Sequence, residues 1–133
     1  LGEKKVMPFA EVKVTPKENG SLNVFVRFDG CATLPEVKEY LNKVEDVYKK
    51  NTRFRIIYDA TCIGWISKAL VDEQVTFMRK HDEDTKRLIE RCAIVINSSV
   101  AKGMLDLIFI AKPPACELKV FRTVDEARNW MKK

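Results

Sequence analysis

Apolar and polar residues alternate along "EVKV" and "NVFVRFDG", and the polar stretch "TPKENGSL" between them supplies Pro16, Asn19 and Gly20. This pattern predicts two strands joined by a turn. The period then lengthens. Leu34, Val37, Leu41, Val44 and Tyr48 recur at helical spacing and define one buried stripe. Thr33 stands in front with Glu36 three residues on and Pro35 in the first turn, a capping box that starts a helix.

"RFRIIYDA" reads as the next strand, and its apolar centre, Ile56-Ile57-Tyr58, suits a strand covered on both faces. A helix follows from Ser67 to about Lys80, with Leu70, Val71, Phe77 and Met78 available to pack. Around "KHDEDTKRLIER" it breaks and restarts, with Asp82 or Asp84 as the cap and Leu88 and Ile89 returning to the core. "CAIVIN" is a strand, "SSVAKGMLDLIFIA" a serine-capped helix, "PPA" a stop and "ELKVF" the last strand. "RTVDEARNWMKK" closes the chain with a second capping box, Thr123 to Glu126, and turns Ala127, Trp130 and Met131 inward.

Strands alternating with helices predict a single α/β domain. Its sheet has about five strands, mixed but mostly parallel, with about four helices and the first strand antiparallel at an edge. Residues 1–10 read as an N-terminal extension and residues 11–133 as the domain.

Composition narrows the partners. The chain is 46% hydrophobic and 32% charged, the balance of a packed core under a solvated surface. No apolar run approaches the roughly 18 to 20 residues of a membrane span, and "LGEKKVMPFAEVKV" lacks the apolar core of a secretory signal. The net charge of +5 is spread beside acids and at element ends, so nucleic acid is not the expected partner. The best local cluster, "YKKNTRFR", interleaves aromatics with cations, but it equally fits a helix C-terminus whose cations complement the dipole. Cys31, Cys62, Cys92 and Cys116 are widely spaced and His81 is the one histidine, so no metal site or cofactor is expected. Free thiols suit a reducing compartment, and the expectation is a soluble, intracellular, cytoplasmic protein.

In open α/β sheets, function gathers outside the carboxyl ends of the parallel strands, where helix N-termini point free N–H groups. Here those ends carry Asp29, then Asp59, Thr61, Cys62, Gly64, Trp65 and Ser67, then Asn97, Ser98 and Ser99, and finally Thr123. The same residue types are ordinary caps and turn formers, so the rim as a group, rather than any single member, is the candidate binding site. Asp29 with Asp59 could supply two carboxylates to a Mg²⁺ site, a weak signal because the pair spans separate loops. A nucleophilic Cys62 needs a base, and His81 lies at the far end of the following helix, roughly 20 Å or more away at 1.5 Å per residue. No enzyme is expected. Trp65 either caps the core, the favoured reading, or stands exposed for a partner. His81 is expected in solvent near a helix end.

With this topology, "RIIYDAT", "LIERCAIVI" and "ELKVFRTVDEARNWM" resemble the STAS fold of anti-sigma-factor antagonists, above all its SpoIIAA-like branch, which shares a remote likeness with CRAL-TRIO lipid-binding domains. In the antagonists a strand-end Asp leads to an Asp-Ser-Ser/Thr-Gly motif whose hydroxyl is phosphorylated. Asp59 matches the acid. The motif itself is absent, and "WISKAL" leaves Ser67 as the one hydroxyl near the helix start and the candidate phosphorylation site. The resemblance implies a non-enzymatic regulatory module that docks a protein partner, as a subunit of a larger assembly or a homodimer. The alternative it implies is a carrier or sensor of a small lipid-like, apolar or anionic ligand.

Overall fold

The computed structural model describes residues 8–133, so most of the expected extension, residues 1–7, lies outside the described residues. β1 (Ala10–Pro16) and β2 (Leu22–Gly30) pair antiparallel, with Val12 opposite Val26. The turn between them needs the left-handed backbone of Gly20 (φ 85°), and the Asn19 carboxamide accepts from the Ser21 N–H at 3.1 Å. α1 (Leu34–Lys49) begins on the expected capping box: Thr33 Oγ1 accepts from the Glu36 N–H and Glu36 Oε1 from the Thr33 N–H. Its stripe of Val37, Leu41, Val44 and Tyr48 is buried, whereas Leu34, expected in that stripe, is exposed in the first turn.

β3 (Phe54–Ile63) runs parallel to β2, and β4 (Ile89–Val95) and β5 (Leu118–Phe121) continue the sheet in the order β1-β2-β3-β4-β5. Crossovers of one hand that always step the same way place their helices on one face. That face carries α1, α2 (Lys68–Lys80) and α4 (Ser99–Ala111), over a core centred on Val26, Val44, Phe54 and Ile56. α5 (Val124–Met131) follows the last strand and covers the other face, where Ala127, Trp130 and Met131 meet Ile57, Ala93 and Val95. Arg55 and Arg91 reach from the sheet to the carbonyls of Met131 and Trp130, so two cations satisfy the C-terminal end of α5. Arg55, part of the basic-aromatic cluster in the sequence, is thereby committed inside the fold.

Five helices are present rather than about four, because the segment after β3 divides at His81 into α2 and α3 (Asp82–Leu88). Neither Asp82 nor Asp84 caps α3; Asp82 pairs with Lys112 at 2.6 Å and Lys86 at 2.9 Å, and Asp84 with Arg87 at 3.0 Å. His81 is not in solvent but buried, at 8% exposure. The break turns it against α1, where its ring stacks on Tyr48 (centroids 5.1 Å apart, planes 6°) and Nε2 lies 2.9 Å from Glu45 Oε2.

That hydrogen bond, then the one from Lys80, holds the Glu45 carboxyl below its ordinary value of 4.5. A depressed carboxylate stabilises the fold fully above the unfolded value, and the stabilisation disappears as pH falls through the folded one. Glu45→Gln is therefore expected to lower the melting temperature near neutral pH, with the gap to wild type closing as pH drops below 4.5, as followed by circular dichroism melts across that range.

Candidate functional site

β3 does not end at Ala60. It continues to Ile63 through a bulge: Arg27 pairs with Asp59 but Asp29 with Cys62, so three steps on β3 match two on β2. Asp59 sits at this bulge, where Oδ1 accepts from the Thr61 N–H (3.1 Å) and the Thr61 hydroxyl (2.7 Å). It is buried and, by strand alternation, shares the α5 face with Ile57. The expected strand-end acid is thus an internal strand residue engaged with its own backbone, and Thr61 and Cys62 belong to the strand rather than to a corner. Asp29 is exposed on the neighbouring strand.

Beyond Ile63 the chain is pressed against the loop after β2. The Gly64 N–H donates to the Gly30 carbonyl at 2.8 Å, and a Cβ at position 64 would come within 2.7 Å of Cys31 Sγ. Any larger residue would displace the Cys31 thiol and crowd the Gly30–Cys31 backbone, so glycine suits that approach. Trp65 follows, and it does not cap the core: its side chain is 66% exposed, because the anchored Gly64 lifts the next residue off the sheet. Leu34 in the first turn of α1 (42% exposed) and Val100 in the first turn of α4 (49%) stand at the same end of adjacent parallel strands. The rim therefore presents three apolar side chains. Cys31 and Cys62 are exposed free thiols.

The hydroxyls divide by role. Ser98 Oγ accepts from the Ala101 N–H at 3.1 Å and caps α4, and Thr123 Oγ1 accepts from the Glu126 N–H at 3.2 Å and caps α5. Asn97 and Ser99 are exposed beside that cap. Ser67 occupies the N-cap position of α2 but makes no side-chain capping bond, and it is exposed. The first turn of α2 carries no acidic residue.

A cavity of about 190 Å³ lies between the sheet and the α2–α4 pair, and nothing in the expected site pointed to it. Tyr40, Tyr48, Tyr58, Ala60, Ala101 and Met104 are among its walls. Burial pushes the Tyr48 hydroxyl up to about 12 and raises those of Tyr40 and Tyr58 as well, so all three are neutral. Cys92 and Cys116 also line it; the hydrogen bond between them raises the Cys92 thiol and lowers that of Cys116. The sequence signal for this space was α4, whose apolar residues are too many for one face even though Lys102 and Asp106 pair on its exposed side. Met104, Leu105 and Ile108 face inward while Leu107 and Ile110 are exposed, so the helix roofs a void on one side and meets solvent on the other.

Together these features define a one-domain α/β module with an apolar rim and an apolar cavity beneath α4. A family model described as SpoIIAA-like matches residues 24–132, and the chain belongs to that family. It is similar to an uncharacterized protein of the DUF3478 family with a SpoIIAA-like fold from Shewanella loihica PV-4. The TM-score is 0.69 at 14% identity, over 97% of this chain and 98% of that one. It is also similar to an anti-sigma factor antagonist from Mycobacterium paratuberculosis, with TM-score 0.61 and 10% identity over 93% and 95% of the two chains. No curated protein matches the sequence. Among the described residues no helix is long and apolar enough to cross a membrane.

Proposed function

We propose that the protein is a non-enzymatic regulatory module that works by docking a protein partner on the rim formed by Leu34, Trp65 and Val100. The observation that carries this reading is the 66% exposure of Trp65 on a backbone anchored at Gly64. A large indole held out in water by a rigid corner contributes little to folding and much to a contact that buries it. The likeness to an anti-sigma factor antagonist supports a regulatory role of this kind. Four free cysteines, two of them exposed, support action inside the cell. Ser67 is the natural point of control. Its hydroxyl is free, and a phosphoryl group there would place negative charge at the start of a helix whose first turn has none.

A benzophenone amino acid placed at position 65 is expected to crosslink a protein partner on irradiation in the native cell. The same group at Arg128, exposed on α5, should give no such adduct. Adducts from position 128 and none from position 65 would assign the contact to the opposite face of the sheet.

A second reading, a carrier or sensor of a small ligand, is favoured by one observation, the apolar cavity beneath α4.

A further inference from the structure

We infer that the cavity beneath α4 binds a small neutral molecule, about one ring in size, that carries a single hydroxyl or N–H group. This rests on reading the cavity as a ligand site and says which ligand it takes. Size comes first. An apolar cavity of roughly 150 Å³ stays dry and accepts a benzene-sized guest, so a space of about 190 Å³ holds one ring with a small substituent and is too small for a long acyl chain.

The walls exclude charge. Among the described residues Lys112 is the one charged side chain on the lining, and its ammonium is held 2.6 Å from Asp82 Oδ1. A carboxylate entering would leave water and find no free cation on the described lining. The anionic ligand raised by the sequence is therefore disfavoured at this site.

The polar groups accept one hydrogen-bonding partner. Tyr48 shares its hydroxyl proton with Thr85 Oγ1 at 2.8 Å, and Tyr40 donates to Gln74 Oε1 at 3.2 Å. Tyr58 lines the same cavity, and its hydroxyl oxygen remains to receive a hydrogen bond from a guest. Flatness follows from the aromatic wall. Phe28 lies parallel to Tyr58 (6.0 Å, 3°) and edge-on to Tyr40 (5.0 Å, 84°), an arrangement that extends naturally to one more ring.

The test titrates the full chain with p-cresol, toluene, benzoate and decanol, following heat and amide NMR shifts. p-Cresol is expected to bind and to shift the amides of Tyr58, Ala60 and Ala101, with benzoate at least about tenfold weaker. Tyr58→Phe should weaken p-cresol by about fivefold and leave toluene unchanged. Ala101→Leu, which fills the space, should abolish binding of both while the amide spectrum stays folded. Benzoate binding as tightly as p-cresol, or decanol displacing it, would overturn the inference while leaving a ligand cavity in place. An unchanged p-cresol affinity in Tyr58→Phe would overturn the assigned hydrogen bond. Failure of all four probes to bind would overturn both the inference and the ligand reading beneath it.

Discussion

Trp65→Ala is expected to weaken partner binding by about 30-fold or more, the effect of losing a central aromatic anchor worth about 2 kcal/mol. The melting temperature should barely change. The indole is 66% exposed, so its removal uncovers little core, while the backbone beneath it stays fixed by the Gly64–Gly30 hydrogen bond. That fixed backbone is also why the effect on binding should be large, since a residue whose backbone is already ordered loses less entropy on contact. Surface plasmon resonance against the crosslinked partner, beside a thermal melt, reads both quantities. Equal affinities for wild type and variant would remove Trp65 from the interface.

Phe54→Ala is expected to cost about 3–5 kcal/mol of stability. Phe54 is fully buried at the start of β3, between Leu22 of β2 and Ile89 of β4, with its ring packed against Tyr48 (5.7 Å, 64°). Truncation there opens a void where the central strand meets α1, and neighbours held by strand pairing on both sides cannot close it. Urea denaturation measures the loss. A cost under about 1 kcal/mol would mean that this end of the sheet relaxes freely.

The fold was legible wherever a local signal sufficed. The caps at Thr33, Ser98 and Thr123 lie within three residues of the N–H groups that they satisfy, so sequence spacing alone placed the starts of α1, α4 and α5. The features that escaped depend on distant partners. His81 sits in a polar stretch that reads as solvent, and its burial is set by Glu45 and Tyr48, 36 and 33 positions earlier on another helix. The extension of β3 past Ala60 depends on a bulge against β2, invisible in β3 alone. Trp65 was read inward because indoles usually are; the Gly64 contact with the Cys31 loop, which fixes its direction, is again long-range. The cavity escaped for a different reason, because a void is a sum over many side-chain volumes and no single residue announces it. Of the expected site, Asp29, Trp65, Ser67 and Asn97 lie exposed at the rim, while Asp59 and Ser98 are engaged in local hydrogen bonds.

Amide hydrogen exchange of the protein alone and in its partner complex tests the docking rim most directly. Slower exchange in the complex is predicted at residues 64–68 and 99–102, the segments that carry Trp65 and Val100, with α5 unchanged. Protection confined to residues 124–131, with the rim exchanging as in the free protein, would contradict it.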